Sequence, residues 1–303
     1  MTMMASEPGV GRKSVATAGR LPSFLIVGAA KSGTTTLWHL LRQHPEVYVP
    51  AVKEPWFFSH HYERGLGWYE GLFDGAVGEK ALGEASVTYT MRESYPRVAE
   101  RIARDLPYVK LIYLVRHPLE QIESMYLQRR KVSGHRMPHD FNRAIRERPA
   151  LVDGACYARQ WGVYAGLFSA EQMLPVLFED LKADPHGTLA RVLDFIGVDS
   201  GFEPEDRRVR NVSSGHTVDT HAASWLRRMP GFRWVADRSP RSVIRIARGV
   251  LKRPITERPG WTRETLARVL GEVRPEADRM LAILGKPAAT WDLSERAVRV
   301  AER

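Results

Sequence analysis

The decapeptide GAAKSGTTTL (28–37) concentrates residues that can hold an anion. A glycine-bearing turn that opens a helix presents backbone N–H groups and the positive end of the helix dipole, which together bind phosphate. Lys31 adds a full positive charge. Gly33 gives the turn its freedom, and the hydroxyls of Ser32, Thr34, Thr35 and Thr36 add donors. The lysine lies two residues before Gly33, unlike the nucleoside-triphosphatase pattern G-x-x-x-x-G-K-[ST]. A plain strand-to-helix turn is the bland alternative. A second candidate is Arg116, which follows KLIYLV (110–115) and precedes His117, Pro118 and a helix carrying Ser124. An arginine at the carboxyl end of a strand faces the crevice where open α/β sheets bind ligands, and Ser124, two turns along, reaches the same anion. A phosphohydrolase would want an acid there for magnesium. Arginine is instead the bidentate phosphate ligand, although alone it reads equally well as a structural ion-pair former.

These residues need strands and helices to aim them, and the hydrophobic pattern supplies both. Short apolar runs alternate with longer amphipathic stretches, which predicts an α/β fold. Strands are expected at 24–28, 80–85, 110–115 and 174–178. Helices are expected at 34–43, 97–105, 119–130, 157–168, 189–196, 241–252 and 263–284. The units fit a central parallel sheet covered on both faces. A loose tail over 1–20 and one domain over 21–303 are expected, with a basic helical or loop insertion at 227–258.

Composition narrows the function. The 303 residues are 44% hydrophobic, enough for a substantial core, and mean hydropathy is −0.32. No apolar run approaches the ~20 residues that cross a bilayer, and the first twenty residues lack a signal-peptide core, so a cytoplasmic protein is expected. The single cysteine, Cys156, forms no intrachain disulfide, and no zinc-type spacing is present. The net charge of +10 is uneven: residues 227–258 hold ten Lys or Arg against two acids. Such a stripe attracts anionic lipid or other polyanions, but it reads first as a solvated face. Nucleic acid is not expected as a partner; membrane contact through 227–258 and self-association stay open.

Taken in order, the motifs resemble the sulfotransferases that use 3′-phosphoadenosine 5′-phosphosulfate (PAPS), closest to the bacterial and heparan-sulfate-type branch. KEPWFF (53–58) resembles that branch's K-E-x-x-F-F, and GEASVTY (83–89) its G-E-K-S-x-x-Y. VLFEDLKADP (176–185) and NVSSG (211–215) resemble segments of bacterial members. The resemblance implies a P-loop-like three-layer α/β/α fold. It implies that Lys31, Ser32, Gly33, Thr34, Thr35 and Thr36 hold the 5′-phosphosulfate, that Arg116 and Ser124 hold the 3′-phosphate, and that Glu54 is the catalytic base beside Lys31. The cosubstrate would be PAPS, the product 3′,5′-ADP, and no metal is implied.

Where the branch has polar groups, this chain has Ala85 and Trp56, which points away from a polyanionic sugar and toward a small-molecule, glycoside or glycolipid acceptor. The branch's lysine-glycine-arginine cofactor loop has no clear counterpart, leaving NVSSG with Arg208 and Arg210 as a candidate cover. His60 and His61 are alternative bases. His117, Glu179 and Asp180 read as structural, and the aromatics at 56–58, 68–69 and 157–168 read mostly as core. The competing hypotheses are a kinase using Mg-ATP, for which Glu179 and Asp180 would bind the metal, and a non-catalytic membrane- or partner-binding protein on the same scaffold.

Overall fold

A computed structural model describes residues 20–133, 137–206, 217–219, 252–254 and 259–294. Most of the expected tail, the NVSSG segment and nearly all of the basic 227–258 stretch lie outside the described residues. The strands are β1 (Phe24–Gly28), β2 (Val47–Tyr48), β3 (Ala81–Ala85), β4 (Lys110–Val115), β5 (Met173–Leu177), β6 (Thr217–Asp219) and β7 (Lys252–Pro254). The helices are α1 (Thr34–Leu41), α2 (Phe57–His60), α3 (Leu66–Glu70), α4 (Val98–Asp105), α5 (Pro118–Ser133), α6 (Phe141–Glu147), α7 (Ala150–Asp153), α8 (Tyr157–Ala165), α9 (Phe178–Ala183), α10 (Pro185–Ile196) and α11 (Arg263–Ile283).

The first five strands form a parallel sheet in the order β2-β3-β1-β4-β5. Every residue of β1 is buried, which is why FLIVG reads as an unbroken apolar run rather than an alternating one. Its side chains nevertheless divide between two cores. Leu25 and Val27 join Leu111, Tyr113 and Val115 under α4, α5, α8 and α11. Phe24 and Ile26 join Ile112 and Leu114 under α1 and α10. The three-layer α/β/α expectation holds. Among the described residues no helix is long and apolar enough to cross a membrane.

The chain leaves β1 toward β3 and reaches β4 on the opposite side of β1, so the carboxyl ends of β1 and β4 border the crevice where connections diverge. That is where a doubly covered parallel sheet receives a ligand. Strand boundaries follow the expectation closely for β1, β3 and β4. Phe178 is a correction: the run LPVLF ends one residue early, and Phe178 starts α9 instead. The helix expected at 241–252 also needs correction at its end, since Lys252 opens β7 and pairs antiparallel with Asp219. Pro254 cannot continue a helical hydrogen-bond ladder, yet it is tolerated in a strand at the edge of a two-stranded sheet.

The sheet has little slack at Gly83, where an added Cβ would collide with the fully buried Phe24 ring across the β1–β3 pair. Gly83→Ala is expected to destabilise the fold by about 1–3 kcal/mol through overpacking. Urea unfolding followed by far-ultraviolet circular dichroism checks this; an unchanged midpoint would show that the two strands can separate freely.

Candidate functional site

The loop between β1 and α1 turns through two left-handed residues, Lys31 at φ 69° and Gly33 at φ 92°. A Cβ at Gly33 would sit 2.6 Å from the Phe178 ring, so position 33 requires glycine for space as well as for conformation. Gly33 is the N-cap of α1 and no side chain caps that helix, which leaves its first-turn N–H groups to the crevice. Ser32, Thr34 and Thr36 are buried at the loop, and the Ser32 hydroxyl has no protein hydrogen-bond partner.

Arg116 stands at the end of β4, as its sequence position predicts. Its guanidinium donates to the Lys31 carbonyl at 3.3 Å, lies 5.0 Å over the Phe178 ring, and pairs with Glu120 one turn into α5. Its buried Nε has no protein acceptor. Ser124 is buried on α5. The same helix adds two residues that motif reading missed. Gln121 donates to the Ala30 carbonyl at 3.0 Å, and Gln128 accepts from Lys31 Nζ at 2.7 Å. Gln121, Ser124 and Gln128 fall at i, i+3 and i+7, a polar stripe on one helix face that the spacing alone could have disclosed.

Electrostatics tie the motifs together. The Lys31 ammonium is held below the ordinary lysine range first by burial, then by Arg116, Lys131 and Lys53, while Glu54 opposes the shift. One cleft therefore gathers four cations from the loop, the KEPWFF segment, the end of β4 and α5, with Glu54 opposing at Lys31 and Glu120 paired to Arg116. Lys131 carried no sequence signal for this site.

Glu54 is held on both carboxylate oxygens. Oε1 lies 3.3 Å from Lys53 Nζ, and Oε2 accepts from Trp56 Nε1 at 2.8 Å. Its backbone is left-handed at φ 62°, and so is that of Trp56 at φ 53°. Such conformations cost non-glycine residues on the order of 1–3 kcal/mol each and persist where the surroundings impose them. The Trp56 side chain is 39% exposed, whereas Phe57, Phe58 and Tyr69 are fully buried. Phe57, Phe58 and Tyr69 are thus core, Trp68 is part-buried, and Trp56 is the exposed member of the cluster.

The alternative groups are occupied elsewhere. His60 faces Ser59 Oγ at 3.0 Å and Tyr95 Oη at 2.6 Å, and burial, then His61, lowers its pKa. His117 turns its ring to the Asp292 carbonyl, 3.0 Å away. Glu179 Oε1 accepts from the His117 N–H at 2.9 Å while its buried Oε2 has no protein partner, and Asp180 pairs with Lys286 at 2.9 Å. Ala85 is fully buried in the core beneath α1.

The pattern that defines the sulfotransferase domain family matches residues 21–225, which include every residue of this cleft. The chain belongs to the sulfotransferase domain family. It is 36% identical over 187 residues to mouse heparan sulfate glucosamine 3-O-sulfotransferase 6, covering 59% of this chain and 53% of the relative. Human heparan sulfate glucosamine 3-O-sulfotransferase 3B1 is 33% identical over the same length, covering 59% and 47%. The chain spans about half the length of these relatives. The crystal structure of a sulfotransferase from Alicyclobacillus acidocaldarius superposes with a TM-score of 0.63 at 25% identity, over 90% of this chain and 99% of the other.

In this sulfotransferase-family cleft Lys31 is repelled by its cationic neighbours until an anion enters. Its folded-state pKa is lowered, so the cost of keeping it protonated is present below that pKa and fades as pH rises toward the ordinary lysine value. Lys31→Met is expected to raise the melting temperature of the ligand-free protein at pH 7 and to abolish the further rise produced by inorganic sulfate. Differential scanning fluorimetry with and without sulfate checks both signs; a lower melting temperature with the sulfate response intact would contradict the electrostatic account.

Proposed function

We propose that the protein transfers a sulfuryl group from PAPS to an acceptor hydroxyl or amine and releases 3′,5′-ADP. The observation that carries this reading is the convergence of Lys31, Lys53, Arg116 and Lys131 on one left-handed loop at the sheet's carboxyl edge, with Glu54 at its margin. A multiply anionic nucleotide matches the donor set. The α1 N–H groups and the unpartnered Ser32 hydroxyl suit the 5′-phosphosulfate, together with Gly33, Thr34, Thr35 and Thr36, and the Arg116 guanidinium with Ser124 suits the 3′-phosphate.

PAPS supplies a sulfur already bonded to a good leaving group, so the protein's part is positioning and charge control. Glu54 takes the proton of the acceptor as the new bond to sulfur forms. Lys31 neutralises the negative charge that collects on the bridging oxygen as its bond to sulfur breaks, an effect felt more in the transition state than in the ground state. The Trp56 N–H on Oε2 and the Lys53 ammonium on Oε1 keep Glu54 aimed, and the acceptor reaches it by displacing one of these contacts. A magnesium-dependent kinase is disfavoured because Asp180 is paired with Lys286 and one oxygen of Glu179 is held by the His117 N–H.

The acceptor side is less charged than the cofactor side. Trp56 presents an indole face flanked by the His60 ring at 5.3 Å, with Tyr95 beyond it at 4.7 Å from His60. Such a wall suits a sugar ring or an apolar skeleton, and the two relatives' names record a carbohydrate acceptor. A small glycoside or glycolipid is the acceptor class this favours.

Incubation with 35S-labelled PAPS and fractionated acceptor extracts tests the reaction directly. Glu54→Gln should lower turnover by roughly 10²–10⁴, the range of general acid–base catalysis, with little change in 3′,5′-ADP binding. Lys31→Ala should weaken both. Near-normal turnover in Glu54→Gln would move the base to a histidine and overturn the assignment.

A further inference from the structure

The geometry points to Glu84, with Ser86 and Tyr89, as the positioning device that holds the base-bearing segment 54–58 in its left-handed path. This rests on Glu54 as the base of the sulfuryl transfer proposed above. Glu84 is 1% exposed, near the end of β3, and faces donors but no cation partner. Its Oε2 accepts from Ser86 Oγ at 2.9 Å, and that hydroxyl oxygen accepts from the Trp56 N–H at 3.1 Å. The Tyr89 hydroxyl lies against the same carboxyl and favours its charged form, and its oxygen accepts from the Phe58 N–H at 3.4 Å. Tyr69 closes the ring by donating to Oε1 at 3.3 Å.

Two alternate amides of the segment thus reach one buried carboxylate through one hydroxyl each. A hydroxyl that donates to a carboxylate is polarised and accepts more strongly, so the charge on Glu84 tightens both backbone contacts. The spacing E-x-S-x-x-Y in GEASVTY is what the arrangement requires. Glu84 points off the strand, Ser86 follows where the strand ends, and Tyr89 returns over the same spot from the turn Val87–Thr90. The left-handed residues Glu54 and Trp56 flank Pro55, and the Trp56 N–H is one of the two held amides. If that hold loosens, the segment relaxes and Glu54 leaves its place near Lys31.

Ionisation of Glu84 gives the device a readout. Burial pushes the carboxyl up to about 7, with the Tyr89, Ser86 and Tyr69 hydroxyls opposing the shift and the Glu54 charge adding to it. Those are the titratable and donor groups that face it from α3, from the Val87–Thr90 turn and from the base segment. Above that pH Glu84 is charged and the hold is strong. Below it the hold weakens, so turnover should fall on an acidic limb near pH 7.

Glu84→Gln is expected to reduce kcat at least tenfold, to remove the limb near pH 7, and to leave 3′,5′-ADP binding within twofold. Hydrogen exchange read by mass spectrometry should show amides in peptides covering 54–60 exchanging at least tenfold faster, with those of the 28–36 loop unchanged. Wild-type kcat and an unmoved limb in Glu84→Gln would overturn the proposal. If that variant does not fold, Ser86→Ala and Tyr89→Phe, which keep the carboxylate, decide: each should cut kcat several-fold and speed exchange at 54–60. Unchanged kcat and exchange in both would overturn it. The exchange measurement needs no turnover. A wild-type protein that transfers no label refutes the reaction, while protection of 54–60 that depends on Glu84 would still establish the hold.

Discussion

A cluster of positive charge at the carboxyl edge of a parallel sheet, only partly compensated by acids, is the constraint on which the molecule turns. Lys31, Lys53, Arg116 and Lys131 come together, with Glu54 opposing at Lys31 and Glu120 paired to Arg116, and burial makes the repulsion felt. Nothing in the folding of a soluble domain requires that arrangement; it costs stability and is understandable as a site built for a polyanion. The rest of the fold serves to impose it. The glycine turn cannot relax because Phe178 closes on Gly33, α5 clamps the loop through Gln121 and Gln128, and the buried strands β1 and β4 fix the origin of each cation.

Catalytic polarity comes from splitting the cleft. The cofactor side is cationic and rich in N–H donors. The side proposed to face the acceptor carries Glu54, the exposed Trp56 indole and His60. The division falls along the segment 54–58, whose two left-handed residues turn a carboxylate toward Lys31 while sending Phe57 and Phe58 into the core. A backbone so placed needs anchors on both sides: aromatic packing supplies one, and the Glu84 network beneath supplies the other.

How much of this the sequence discloses depends on the length and strength of each signal. β1 and β4 are legible because strands buried on both faces are continuously apolar, and α1 because a glycine turn and a proline bracket it. The two-residue strand β2 and the four-residue helix α2 are too short to leave a periodic trace. Phe178 was misplaced because an apolar residue closing a strand looks the same as one opening the next helix. Gln121, Gln128 and Lys131 were missed because polar residues on a helix read as solvent-facing until the loop they touch is known. Glu84 was visible only as a motif letter, for no spacing rule says that a strand carboxylate will be walled in by hydroxyls.

The central claim is that the cationic cleft is shaped for a nucleotide bearing a 3′-phosphate. Isothermal titration in magnesium-free buffer, comparing 3′,5′-ADP with ordinary 5′-ADP on the wild-type protein and on Arg116→Ala, measures that most directly. The account predicts that the wild type binds 3′,5′-ADP at least tenfold more tightly than 5′-ADP and that Arg116→Ala erases the difference. Equal affinity for the two nucleotides in the wild type, or a preference for 5′-ADP that appears only with magnesium, would contradict it.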